Sequence, residues 1–177
     1  MLLGYKESPV AEARARFGGL VRALVREGLA GRGAAMTEIA GGPIDVVTVV
    51  PSTRRPGPAP LARVDGLADA VRSLVPSASW APALLGRAPQ AGPPPVAHMR
   101  PDAAAFVVPP RCRGLVRGTR VLLLDDTYVS GARSQSAAAA LRLEGAMPVV
   151  VPLGRVLRPD RIARHAAFLA RHTAAPL

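Results

Sequence analysis

The residues with the most chemical content are Asp125 and Asp126, which follow the apolar run Val121 to Leu124 and precede Thr127-Tyr128-Val129-Ser130-Gly131-Ala132. The apolar run reads as a strand, and an alanine-rich helix over about Arg133 to Glu144, closed by Gly145, is expected after the loop. In a parallel sheet, ligands bind beyond the carboxyl ends of the strands, which is where the acids and the loop then lie. A loop that opens directly into a helix presents free N–H groups and the positive end of a dipole, and both favour an anion. Gly131 permits close backbone approach and Ser130 offers a hydroxyl, so a phosphate fits there. Two adjacent carboxylates cannot bind that anion themselves. They suit hydroxyls, or a hydrated Mg²⁺ bridging them to the ligand. A phosphate, neighbouring hydroxyls and a divalent ion together describe a sugar phosphate.

Other chemistries compete for an acidic pair after an apolar strand. A P-loop needs a Gly-Lys-Ser/Thr step, and the only lysine, Lys6, stands in no such motif. A phosphoreceiver domain starts from a similar segment, but one beginning at residue 121 leaves too little chain for its remaining strands. The purely structural alternative is that Asp125 caps a turn and pairs with an arginine. Elsewhere, His165 and His172 lie on one expected helix without a companion ligand set, which does not make a metal site. Cys112 sits between Arg111 and Arg113 with no local catalytic partner.

The elements that must position these residues follow from periodicity. Ser8 is expected to cap a helix with Pro9 at its first position and Glu12 in its first turn. Phe17, Leu20, Val21, Leu24 and Val25 form its apolar face, with Arg14, Arg22 and Arg26 on the other side. Ile44 to Val50 reads as a strand buried on both faces, ended by Pro51, with a Pro-rich loop over Ser52 to Pro60. A second helix is expected from Leu61 to Val75, then an irregular stretch from Gly86 to Pro101 and a short strand Phe106 to Val108. Met147 to Leu153 reads as another strand, and Pro159 to His172 as a last helix. Strands alternating with helices predict an α/β domain with a mostly parallel central sheet flanked by helices.

Length and composition set the outer bounds. A chain of 177 residues is expected to form one domain over 1–177 with a core of its own. Apolar residues make up 49% and aromatic ones 3%, so that core is aliphatic. A single cysteine excludes an internal disulfide and a zinc ribbon, and fits a reducing cytoplasm. No apolar stretch approaches the ~18 residues of a membrane span, and a cytoplasmic protein is expected. The net charge of +11 invites a nucleic-acid reading. The arginines are scattered, however, and few aromatic residues are present for stacking, so nucleic acid is not the expected partner.

The run Val121 to Ala132 resembles the signature of type I phosphoribosyltransferases: apolar residues, two acids, then a Thr/Ser-Gly loop. The wider layout, with Tyr5-Lys6, the Val-Pro loop and Arg100 to Phe106, is similar to the competence-protein-F, amidophosphoribosyltransferase-like group. The resemblance implies a pocket for 5-phosphoribosyl-1-diphosphate with Mg²⁺ held through ligand and water. Asp125 and Asp126 would then hold the ribose hydroxyls, and Thr127, Tyr128, Val129, Ser130, Gly131, Ala132 and Arg133 would wrap the 5-phosphate. Ser52, Thr53, Arg54 and Arg55 would take the diphosphate. The implied reaction is transfer of the phosphoribosyl group to a nitrogen nucleophile. A non-catalytic sensor of the same ligand, or a binding factor in DNA uptake, is the alternative. The chain departs from the family in lacking an N-terminal cysteine zinc cluster. It also carries Val129 where a threonine or a basic aspartate stands, Arg133 for the final loop threonine, and Asp102 for a common asparagine.

Overall fold

The structure, a computed structural model, describes Lys6 and residues 8–52, 58–89 and 100–154. In chain order the elements are α1 (Ala11–Gly28), α2 (Gly33–Ile39), β1 (Val46–Val49), a 3₁₀ turn (Pro60–Arg63), α3 (Leu67–Leu74), β2 (Ser79–Trp80), β3 (Gly86–Arg87) and β4 (Phe106–Val107). A second 3₁₀ turn (Pro110–Leu115), β5 (Arg120–Asp125), α4 (Ala132–Leu143) and β6 (Met147–Pro152) follow. The described central sheet has the order β2-β1-β5-β6 and is parallel throughout. This is the expected α/β architecture.

The apolar runs are continuous because both faces of the sheet are covered. Val47, Val49, Leu122 and Leu124 pack in one cluster with Val21 and Val25 of α1 and with Leu67 and Val71 of α3. Val46, Val50, Val121 and Leu123 pack in a second cluster with Leu141 and the alanines of α4, and with Leu84, Phe106 and Val108. With β1 and β5 side by side (Val49 opposite Leu124), the chain after β1 and the chain after β5 leave the same edge of the sheet. That shared edge is where the site forms.

Several sequence expectations are corrected. Ser8 does not cap α1: its Oγ accepts from the N–H of Val10 at 3.3 Å, and the helix begins at Ala11. The expected second helix is two pieces, because Gly66 adopts a left-handed φ of 70° between the 3₁₀ turn and α3. The expected irregular stretch begins with a strand: Gly86–Arg87 pairs antiparallel with Phe106–Val107 as a separate two-stranded sheet. Helix α2 and strand β2, neither of them expected, complete this half. The last expected helix, Pro159 to His172, lies outside the described residues.

One side chain is out of place in the core. Thr48 is fully buried on β1, and its Oγ1 has no hydrogen-bond partner among the described residues. A buried hydroxyl left unpaired costs about 1–3 kcal/mol. Thr48→Val keeps the shape and removes the hydroxyl, so a gain of about 1 kcal/mol is expected, or roughly 2–4 °C in Tm for a chain of this size. A calorimetric scan checks it, and an unchanged or lower Tm shows that the hydroxyl is satisfied in solution.

Candidate functional site

A cleft of about 1000 Å³ opens at the carboxyl edge of β1 and β5. Its walls come from α1, from the segments around Pro51 and Pro58 to Asp65, and from the loop Asp125 to Arg133, with Lys6 joining them. Strand β5 delivers Asp125 as its last residue, and α4 starts seven residues later, so the loop must turn back sharply over the strand end. Gly131 makes that turn possible with a left-handed φ of 80° as the N-cap of α4. Extension of β6 supports the turn from beneath. The N–H of Leu153 donates to the carbonyl of Asp125 at 2.7 Å, and that of Tyr128 to the carbonyl of Gly154 at 2.7 Å.

The acids are buried, Asp125 to 2% and Asp126 to 7% exposure. Buried carboxylates need partners, and both have cations. Arg133 Nη2 donates to Asp125 Oδ1 at 2.9 Å and to Asp126 Oδ1 at 3.2 Å. The Ser134 hydroxyl donates to Asp125 Oδ2, and Lys6 forms an ion pair with Asp126 Oδ2. The backbone N–H of Thr127 closes on Asp125 Oδ1 at 3.4 Å. Burial lowers the pKa of Arg133, but the charge and hydrogen bond of Asp125, and then those of Asp126, more than offset it and hold the guanidinium above its ordinary value. Among the described residues, Lys6, Arg133 and the two acids therefore form a quartet of two cations and two carboxylates.

This arrangement bears on each expected residue. Asp125, Asp126, Thr127, Val129, Ser130, Gly131, Arg133 and Ser52 all line the cleft. Tyr128 and Ala132 do not. The Tyr128 ring end lies where a side chain on Gly131 would go, and Ala132 is buried at the first position of α4. The Ala132 N–H points to Ser130 Oγ at 3.3 Å, so the serine hydroxyl sits at the first N–H of the helix. Thr127 Oγ1 is buried in the same loop without a hydrogen-bond partner among the described residues. Val129 is half exposed. Arg133, expected on the 5-phosphate, lies on the acids in this structure, which is also the arginine pairing that the structural alternative for Asp125 describes. Asp102 lies outside the cleft lining, its N–H on Ser136 Oγ at 2.8 Å and its Oδ1 accepting from the N–H of Ala104. Thr53, Arg54 and Arg55 lie outside the described residues.

Two participants escaped the sequence reading. Ser134 sits in the first turn of α4, and a helix that starts this close behind a strand end turns that first turn back onto it. That signal was present. Lys6 reaches Asp126 from the other end of the chain, and no local pattern announces it.

The acids can be tested against the expected Mg²⁺. Among the described residues no group of three or more His, Cys, Asp or Glu is placed to hold a metal. Both carboxylates are already balanced by cations of the chain. The donor set does not fit a divalent ion held by the protein itself.

Among the described residues no helix is long and apolar enough to cross a membrane. No protein-family model matches the chain, and no curated protein matches it. Among solved structures, the chain is similar to one described as the structure of the allosteric regulatory enzyme of purine biosynthesis, with 20% identity and a TM-score of 0.42. The similarity covers 75% of this chain and 25% of that one, so the chain spans about a quarter of that protein's length.

Proposed function

We propose that the cleft binds 5-phosphoribosyl-1-diphosphate and that the protein transfers its phosphoribosyl group to a nitrogen nucleophile. One observation carries this reading. The loop Thr127 to Gly131, with the buried unpartnered Thr127 Oγ1 and the Ser130 hydroxyl at the start of α4, lines a cleft together with two adjacent carboxylates. The resemblance of Val121 to Ala132 to the phosphoribosyltransferase signature supports it.

In this reading the 5-phosphate sits at the start of α4, where Ser130, Thr127 and the first-turn N–H groups hold it. Asp125, the more buried acid, anchors the loop through Ser134, Arg133 and Thr127, and Asp126 accepts from the ribose hydroxyls. The lone pair of the acceptor nitrogen forms the bond to C1 of the ribose. The bond from C1 to the diphosphate oxygen breaks, its electron pair leaves with the diphosphate, and the acceptor proton goes to water. Lys6 and Arg133 hold Asp126 in position before the ribose arrives, so its contact to the hydroxyls needs no reorganisation as the bond breaks. No proton acceptor in the loop stands at Val129, which favours a second reading: a sensor that binds without turnover.

Calorimetric titration with 5-phosphoribosyl-1-diphosphate, with and without Mg²⁺, tests binding. One equivalent is expected, and MgCl₂ alone is expected to give no binding heat. Asp126→Asn should weaken the ligand at least tenfold, the loss of a charged hydrogen bond being about 1.5–3 kcal/mol. Wild-type affinity in that variant removes Asp126 from the ribose. Diphosphate release with amine or nucleobase acceptors then separates transferase from sensor.

A further inference from the structure

The remaining charge in the cleft is on the side of α1. Arg14, Gly18 and Arg22 stand at intervals of four, so they share one face of the helix, and all three line the cleft with Ala15 and Gly19. Gly19 leaves open space there: a side chain on it would meet nothing within 4 Å. Arg63, from the first 3₁₀ turn, joins the same wall. The three arginines are exposed. Among the described residues none of them has a carboxylate within ion-pair distance, in contrast to Arg133.

Two of the three are nonetheless held in place, by backbone carbonyls that leave the charge uncompensated. Arg14 Nη1 donates to the carbonyls of Ser8 and Pro9 at 2.7 and 3.0 Å. Arg22 Nη1 donates to the carbonyl of Asp65 at 3.3 Å, and its side chain runs over Gly66, where a Cβ would come within 3.0 Å of Arg22 Cδ. A guanidinium carries five N–H donors, and a tether through one nitrogen fixes the fork while the other nitrogens still carry donors. Fixed forks on a cleft wall bind planar or tetrahedral oxyanions bidentately. Arg14 and Arg22 are separated by about 12 Å along the helix axis, too far for one small anion to engage both helix levels directly. Small-molecule pockets span roughly 300–1,000 Å³, so a cleft of about 1000 Å³ has room for a second molecule beside a phosphoribosyl ligand.

We propose that Arg22 and Arg63, extended by Arg14, form a second anion subsite that takes a phosphate or carboxylate group of the acceptor. The inference rests on the reading of the cleft as a phosphoribosyl site and adds the chemical class of the acceptor: a nitrogen nucleophile bearing an oxyanion. The arginines select it by charge and leave its nitrogen toward the ribose.

The test uses inorganic phosphate as probe, titrated into the full chain alone and into the chain saturated with 5-phosphoribosyl-1-diphosphate. The saturated wild type is expected to bind one further equivalent. Arg22→Ala with Arg63→Ala should weaken that equivalent at least tenfold, while Arg14→Ala, on a helix level that the same phosphate does not reach, leaves it near wild type, and binding of the activated ribose is kept in all of them. An acetate arm shows whether a carboxylate serves as well. If the saturated wild type takes up no phosphate, or the double variant takes it up as well as wild type, the inference is overturned. If the double variant instead loses the activated ribose, the arginines serve its diphosphate and the inference is equally overturned. Should the wild type fail to bind the activated ribose at all, the proposed function falls. Phosphate binding to the ligand-free chain, lost in the double variant, would then still establish the anion subsite.

Discussion

Arg133→Ala is expected to lower folding stability by about 3 kcal/mol, the scale seen when one partner of a buried ion pair is removed. The arginine bridges Asp125 and Asp126 at 2.9 and 3.2 Å, and without it the buried Asp125 keeps the Ser134 hydroxyl and the Thr127 N–H but loses its cation among the described residues. Both contacts are made by one nitrogen, Nη2, so Arg133→Lys retains the charge but must bring Nζ to that point on a shorter, unbranched stem, and an intermediate loss is expected. Denaturant unfolding of the three proteins measures it. An alanine variant that unfolds at the wild-type midpoint shows that the quartet does not hold the loop. The pH dependence follows from the raised pKa of the arginine. A cation whose folded pKa is raised contributes stability that is fully present below its unfolded pKa and lost as pH rises through the folded one. For arginine that window lies in strong alkali, so its contribution stays constant through neutral pH.

The same geometry revises how the acids themselves can be probed. Their place at the end of β5 keeps them out of the two apolar clusters, so packing alone does not forbid replacing them. Buried and paired as they are, replacing both at once removes both carboxylate partners of Arg133 and the Lys6–Asp126 ion pair. The single change at Asp126 is therefore the cleaner probe of ligand binding.

What was legible in the sequence is what local patterning encodes. The runs Val46 to Val49 and Val121 to Leu124 are continuous and β-branched or leucine-rich because both sheet faces are covered, and a strand with one wet face would alternate instead. Gly145 marked the end of α4, and its left-handed backbone is the reason, while Gly131, read as a point of close backbone approach, also turns left-handed as the N-cap. What misled was local chemistry with two solutions. Ser8-Pro9 satisfies a helix-cap pattern, but the serine hydroxyl closes on Val10 instead. The apolar spacing from Leu61 to Val75 continues through Gly66, which breaks the helix without disturbing the periodicity. The site was half legible: the loop could be read from one segment, whereas the cations that balance it and the arginines of α1 are set by tertiary packing. Arg14 and Arg22 are the solvent face of α1 in a helical projection, and only the fold shows that this solvent is a cleft.

Gly131→Ala is expected to be the most damaging single methyl group in the loop. At φ 80° an L-residue is strained by about 1–2 kcal/mol. The new Cβ would also occupy the place of the Tyr128 phenol end, whose Cε2 lies 2.8 Å from it. The ring can swing aside, but it then leaves the seat over the start of α4 that shapes the loop. A total loss of about 2–3 kcal/mol follows from the strain and the displaced ring together. Two contributions of different origin can be separated with a double-mutant cycle. In Tyr128→Ala the space is vacated, so adding Gly131→Ala to it should cost only the backbone strain, about 1 kcal/mol less than adding it to the wild type. The loop should report the same order in binding: ribose 5-phosphate affinity is expected to fall further in Gly131→Ala than in Tyr128→Ala, because the first moves the N–H groups at the start of α4 and the second leaves them in place. Strain-free behaviour of Gly131→Ala, within about 0.5 kcal/mol of wild type and with unchanged ligand affinity, would mean that the loop does not turn through a left-handed glycine and that the phosphate cradle is built some other way.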